Sequence, residues 1–506
     1  MSKNMKILLI HPNFHCGGAE LAIGTMTPLG LLYLGGSLIE SGHKLKLLDA
    51  ARLNLENKDL YKEVGRFKPD AVCVGSSAST PASNKCLTTL KIAKEVDPEI
   101  ITVYGGVHPT FLYDEIMKNN QHVDFIVRGE GEITVKELFG ALEKGTSIEN
   151  IEGLVWRKDE EHYVVNADRK PIEDLDSIRA AWELIDDWEL YRNGTTREIT
   201  VVVQFSRGCP FSCTFCGQWR FWKKYRCRDP KKFVDELEYL NRECGVTYFF
   251  YADENPAVNQ KKWLSVLNEV VERNLDVHMI LNLKVTDVIR DREYLHLYKK
   301  AGIVHVDLGV ECVEQEYLDK IRKGTRVNEN KLAIELLKEH GIAITANLFV
   351  GDRNETKERL KRKFKIIRSW NPDFVLPYFP VPFPWTEFYR ETEKEWIRTF
   401  NYEEWNYVNP VIPPENYDIN EMMNDLLVEC LKFALHPKKL FEIFVTRDGY
   451  RRKFTLAYII DGLLHWLYQK YPKLNSLIEF LHEKFHGENK QPIFPLFGGT
   501  FDVREC

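Results

Sequence analysis

The stretch Ser206-Arg-Gly-Cys-Pro-Phe-Ser-Cys-Thr-Phe-Cys-Gly217 places Cys209, Cys213 and Cys216 within eight residues, in the spacing C-x3-C-x2-C. Three thiolates this close together can hold three irons of a [4Fe–4S] cube and leave the fourth iron open for chemistry. A structural zinc site is the rival reading, and it needs four closed ligands. Cys227 is available as a fourth, but no second C-x2-C or H-x3-H pair accompanies it. A chance grouping fits less well still, because free cysteine is usually a buried, inert residue.

Downstream of the cysteines, strand-like runs recur at 198–206, 248–251, 278–282, 305–309, 345–350 and 374–377, separated by helix-length segments. Six such units predict a partial (β/α)6 TIM-type barrel over 196–385, with catalytic groups at the C-terminal ends of its strands. Polar residues stand at those ends: Asp253 and Glu254, Asn282, Glu311 in Gly309-Val-Glu311, and Gly351 and Glu355 in Phe349-Val-Gly-Asp-Arg-Asn-Glu355. Taken singly, any of these acids reads as a solvated loop carboxylate. In this order after the cysteine motif, they resemble the radical S-adenosylmethionine (SAM) enzymes. The resemblance implies that the open iron takes the amino and carboxylate groups of SAM, and that an electron from the cluster cleaves its C–S bond. The resulting 5′-deoxyadenosyl radical would abstract hydrogen. Phe215 is then the aromatic residue expected between the last two cysteines. Glu254, with Asp253 as alternate, stands for the acid that meets the SAM amino group, although the usual preceding glycines are absent. Glu311 would approach the ribose or amino group, Gly351 and Glu355 would lie beside the adenine, and Asn282 would face the same mouth.

Upstream, residues 1–150 alternate apolar runs at 6–10, 44–48, 71–75, 100–104 and 125–128 with helical stretches, the pattern of a Rossmann-like parallel α/β sheet. Ligands bind at the carboxyl edge of such a sheet. No G-x-G-x-x-G follows the first strand, which disfavours a dinucleotide site. The segments Gly105-Gly-Val-His-Pro-Thr110 and Val127-Arg-Gly-Glu-Gly-Glu132, with Ser76 and Ser77, resemble instead the cobalamin-binding domain of B12-dependent radical SAM enzymes. That resemblance implies corrin contacts from Ser76, Ser77, Gly105, Gly106, His108, Thr110, Gly129, Glu130 and Gly131. In methionine-synthase-type domains a D-x-H-x-x-G motif supplies the lower cobalt ligand. Here Asn13-Phe-His15-Cys-Gly-Gly18 occupies its place. Asn13 replaces the aspartate that would orient the imidazole and raise its basicity. The favoured expectation is a cobalt without lower histidine, and His15 is the alternative ligand.

At 506 residues the chain has room for about three domains. A net charge of −6 leaves no electrostatic footprint for nucleic acid. The eleven cysteines are scattered apart from the one cluster, as in a reducing compartment. The N-terminus carries no signal-peptide pattern, and no apolar run reaches the ~20 residues of a membrane span, so a cytoplasmic protein with at most peripheral membrane contact is expected. Residues 151–195, with a β-ribbon signal at 153–156 and 162–165, read as a connector. Residues 386–506 read as a helical, aromatic-rich C-terminal domain. Its aromatic residues, with the preceding run 378–385, either wall a cavity for a flat macrocycle or form an ordinary core. The apolar helix at 454–468, preceded by Arg447, Arg451, Arg452 and Lys453, either rests on lipid or packs internally.

Four segments sharpen the resemblance: 10–20, 206–226, 252–256 and 301–309 are similar to the anaerobic magnesium-protoporphyrin IX monomethyl ester oxidative cyclases. That family oxidises the methyl propionate side chain of a magnesium porphyrin and closes it onto the ring, taking the ketone oxygen from water. The resemblance implies a [4Fe–4S] cluster, SAM, cobalamin, a tetrapyrrole substrate and an external one-electron donor such as flavodoxin or ferredoxin. Cys16 and Thr25-Met-Thr-Pro28 depart from the family's pattern. A B12-dependent radical SAM methyltransferase and a non-catalytic cobalamin or iron–sulfur sensor are the alternative readings.

Overall fold

Two parallel sheets carry the chain, and the computed structural model describes residues 4–14, 26–193, 196–446 and 448–470. His15 therefore lies outside the described residues. The first sheet contains β1 (Lys6–His11), β2 (Lys44–Asp49), β3 (Ala71–Val74), β4 (Ile101–Gly105) and β5 (Phe125–Val127), in the order β2-β1-β3-β4-β5 with every pairing parallel. A strand covered on both faces reads as a continuous apolar run. In β1, Leu8 and Ile10 enter one core with Val72, Val74 and Leu90, while Ile7 and Leu9 enter the opposite core with Cys73, Val103 and Leu138. The ribbon expected in the connector extends this same sheet, as β6 (Leu154–Arg157) antiparallel to β5 and β7 (Tyr163–Val165) antiparallel to β6.

The second sheet begins with β8 (Ile199–Val203). A short antiparallel pair, β9 (Ser206–Arg207) and β10 (Arg226–Cys227), brackets the cysteine loop. The sheet continues through β11 (Val246–Tyr251), β12 (His278–Leu283), β13 (Ile303–Glu311), β14 (Ala343–Phe349) and β15 (Phe374–Tyr378). All five pairings are parallel, in the order β15-β14-β13-β12-β11-β8, which is the six-unit open barrel that the sequence predicts. Local chemistry sets its helices. In helix Pro230–Cys244, the Asp229 carboxylate accepts the amide hydrogens of Lys231 and Lys232, Pro230 fills the first turn, and Gly245 closes the C-terminus in a left-handed conformation.

Helix Gly449–Lys470 packs under the barrel. The Tyr450 hydroxyl lies 2.5 Å from that of Tyr248, its ring stacks on Phe454, and Arg451 bonds Asp373. Of the two readings for this helix, the packed one describes its first turns. No described helix is long and apolar enough to cross a membrane. The aromatic segment after β15 is likewise a core: Phe383, Trp385 and Trp405 cluster with Val107 and Phe111 of the first domain, and Phe111 stacks on Trp385 at 4.8 Å.

Candidate active site

The cysteine loop leaves the barrel between β9 and the short helix Gln218–Trp222. Asp253, fully buried after β11, shapes its start by accepting the amide hydrogens of Phe205 and Ser206 and the Ser206 hydroxyl at 2.5–3.0 Å. Both oxygens are thereby used, and burial lifts the Asp253 carboxyl to about 7 against those hydrogen bonds. Glu254 differs. Its Oε1 accepts the Trp222 indole N–H at 2.8 Å, while Oε2 is buried and accepts no side-chain hydrogen bond. Of the two acids weighed from sequence, Asp253 has both oxygens engaged, whereas Glu254 keeps one oxygen outside the side-chain hydrogen bonds. Asn282 donates to the Asp253 carbonyl at 3.2 Å, so β12 is tied to the same turn.

Burial pushes all three thiols up, Cys216 to about 12, so they become thiolates only beside positive charge. Two lysines supply part of it. Lys284, directly after β12, sits with its Nζ 3.1 Å over the Phe211 ring, and it is pulled down by burial although the thiols of Cys213 and Cys209 oppose this. For Lys323, burial is more than offset by Glu311 and Cys213, which hold it above its ordinary value. Neither lysine was singled out in the sequence. Lys284 at a strand terminus, and Lys323 before Gly324, are the signals that could have found them.

Cys227 pairs through β10 with Ser206 and hydrogen-bonds Tyr225 and Lys262, behind the loop. Among the described residues no three His, Cys, Asp or Glu side chains gather closely enough to hold a single metal ion, as a closed zinc site demands. Thiols that each take a different iron of a cube need no such convergence.

Further along the mouth, Phe215 packs edge-on against Phe349 at 4.9 Å. Glu355 accepts the Gly351 amide hydrogen at 2.9 Å and pairs with fully buried Lys363 at 2.7 Å, leaving its Oε1 without a partner. Gly351 has φ +69°, and an added Cβ would lie 2.5 Å from the Phe379 ring. Gly217, at the end of the cysteine motif, is needed for a different reason: a Cβ there would meet the Trp385 indole nitrogen at 2.1 Å. A cavity of about 700 Å3 adjoins the loop at Thr214, but Glu314, Asp352, Arg353 and Arg359 in its lining make it a charged space rather than a stacking surface.

At the carboxyl edge of the first sheet, Thr110 links two of the expected corrin segments: its hydroxyl accepts the Gly129 amide hydrogen at 2.9 Å and donates to the Gly106 carbonyl at 2.7 Å. Gly129 faces open space, Gly105, Gly106 and Gly131 are half-buried, Ser76 is half-buried and Ser77 is exposed. The His108 ring is buried against Tyr402 at 4.9 Å with Nδ1 unpartnered, and burial lowers it to about 3. Asn13 turns its amide to the Leu55 carbonyl at 3.0 Å. Glu130, in the turn after β5, has both carboxylate oxygens held by arginines of the barrel, Oε1 by Arg207 and Oε2 by Arg226. Unpartnered Glu254 and Glu355 atoms at the second sheet, and the His108 nitrogen with the glycine-rich edge at the first, fit one ligand at each sheet.

Together the two sheets and the order of their motifs define a cobalamin-dependent radical SAM protein. The radical SAM superfamily model matches residues 203–365 and the B12 binding domain model residues 20–139. Its cofactors are a [4Fe–4S] cluster, SAM and cobalamin. The fold is shared with the cobalamin-dependent SAM radical enzyme OxsB solved with aqua-cobalamin and SAM, at a TM-score of 0.70 and 15% identity over 96% of this chain and 75% of that one. The chain belongs to the anaerobic magnesium-protoporphyrin IX monomethyl ester cyclase family, being 38% identical to that protein of Rubrivivax gelatinosus over 90% of this chain and 81% of the relative. The hopanoid C-3 methylase of Methylococcus capsulatus is a more distant relative, 28% identical over 81% of this chain and 76% of its own.

Proposed function

We propose that this protein catalyses the anaerobic oxidative cyclisation of magnesium-protoporphyrin IX monomethyl ester, forming the isocyclic ring of (bacterio)chlorophyll. The observation that carries this reading is the 38% identity, which extends over 90% of the chain rather than over the cysteine motif alone. When bound, the cluster and SAM supply a hydrogen-abstracting radical, and cobalamin supplies cobalt chemistry beside it.

In this reading Cys209, Cys213 and Cys216 hold the irons, and Lys284 and Lys323 offset the negative charge of the thiolates. Glu254 and Glu311 accept hydrogen bonds from SAM, whose adenine lies toward Phe215, Gly351 and Glu355. Ser76, Ser77, Gly105, Gly106, Thr110, Gly129 and Gly131 border the corrin, with His108 as a neutral ring beneath Tyr402. A flavodoxin- or ferredoxin-type donor delivers the electron.

Anaerobic incubation with magnesium-protoporphyrin monomethyl ester, SAM, cobalamin and a reductant, followed by mass spectrometry, tests the proposal. Conversion of the methyl propionate arm to a ring ketone is the expected result. The 28% identity to a methylase favours one second reading, a methyltransferase. A methylated product would establish it, and formation of 5′-deoxyadenosine by the reduced protein would exclude a non-catalytic sensor.

A further inference from the structure

Four buried charges lie between the two domains. Arg207 places Nη1 2.8 Å from Glu130 Oε1 and Nη2 2.6 Å from Glu132 Oε1. Arg226 Nη1 donates to Glu130 Oε2 at 2.7 Å and to Oε1 at 3.0 Å. All four side chains are 4–6% exposed. The remaining valences are also used: Arg207 Nε donates to Gln204, Arg226 to the Ile172 carbonyl, and the Ile172 amide to Glu130. Replacing such a network with packed apolar groups is often neutral or stabilising, so folding stability alone does not account for it. An arginine fork does fix direction as well as distance.

Its connections run to the site. Arg207 lies two residues before Cys209, and its guanidinium stands 5.3 Å over the Trp222 ring. The Trp222 indole in turn holds Glu254 at 2.8 Å. One side chain thus touches the cobalamin-domain turn after β5, the entry to the cysteine loop and the support of Glu254. Resting on the site reading above, we infer that Arg207 is a positioning residue. It transmits the docking of the cobalamin domain to Glu254, so that the SAM pocket is complete only when that domain is seated.

The test uses the full chain, reconstituted anaerobically with iron, sulfide and cobalamin, as wild type, Arg207→Lys and Arg207→Gln. Lysine keeps the charge and loses the fork. Iron and corrin content, SAM affinity from the cluster's electron paramagnetic resonance, and the magnetic broadening of Co(II) by the reduced cluster are measured together. Both variants should hold iron and corrin at wild-type levels, bind SAM about 2- to 30-fold more weakly, and show an altered broadening. Wild-type SAM affinity and broadening in Arg207→Lys, with only a lowered melting temperature, would overturn the inference as a merely structural role. If Arg207→Gln does not fold, Arg207→Lys decides alone. A wild-type protein that takes up neither SAM nor corrin would remove the site reading, and the inference with it.

Discussion

Glu311 Oε1 lies 2.6 Å from Lys323 Nζ, with each side chain only 10% exposed and the glutamate at φ +60°. The pair joins the end of β13 to the cysteine loop, because Cys213 acts on the same lysine. Glu311 holds a left-handed backbone that strains an L-residue, and such strain clusters at ligand sites.

Glu311→Gln should therefore weaken SAM binding while sparing the cluster. An amide is the poorer acceptor and leaves Lys323 buried without a counter-charge. A charge-assisted contact is worth about 1.5–3 kcal/mol, or roughly ten- to a hundredfold in affinity. The variant should keep its iron and corrin and form 5′-deoxyadenosine only at raised SAM concentration. Unchanged SAM affinity would mean that Glu311 serves Lys323 alone.

Cys213→Ala should abolish the cluster and SAM cleavage and leave cobalamin bound, because the two cofactors are assigned to separate sheets. Iron analysis and the corrin absorption spectrum of the reconstituted variant measure this. Parallel loss of iron and corrin would sink the two-site assignment.

Gly351→Ala combines two penalties. The left-handed backbone costs an L-residue about 1–2 kcal/mol, and the new Cβ must displace the Phe379 ring, 2.5 Å away. The unfolding free energy read from urea titration should fall by at least the backbone cost, with a lower midpoint. A midpoint equal to wild type would show that the turn relaxes freely.

His108 supplies a pH dependence. Its folded value, near 3, lies below the ordinary 6.5 because the ring is buried, so the unfolded chain takes up the proton first as pH falls. Its contribution to stability is complete above pH 6.5 and is lost as pH drops toward 3. Between pH 6.5 and 5 the loss should be about 2 kcal/mol at ~1.4 kcal/mol per unit. His108→Phe keeps a ring against Tyr402 and should remove that part of the acid-side decline, as read from urea midpoints at the two pH values. Parallel curves for the two proteins would contradict it.

Both sheets were legible because their information is local. Buried parallel strands must be runs such as Ile7-Leu-Leu-Ile10, and three cysteines within eight residues need no tertiary partner to be recognised. The order of acids after the barrel strands was readable for the same reason, since strand ends follow from where apolar runs stop. The ribbon at 153–165 was visible as two strands. Its attachment to β5 was not, because antiparallel edge pairing carries no local mark.

What a given polar group faces was decided by the tertiary structure. Asp253 and Glu254 are adjacent in sequence, yet one has both oxygens consumed by Phe205 and Ser206, and the other keeps Oε2 free. Glu130 sits in a glycine-rich turn that resembles a corrin contact, but Arg207 and Arg226, more than seventy residues away in the chain, occupy its oxygens. The position of Lys284 and Lys323 beside the thiols is likewise set by the packed chain. Periodicity and spacing determine which elements form, since backbone hydrogen bonding and apolar burial act on neighbours. The availability of a carboxylate oxygen depends on donors brought from distant segments, and only the packed chain specifies them.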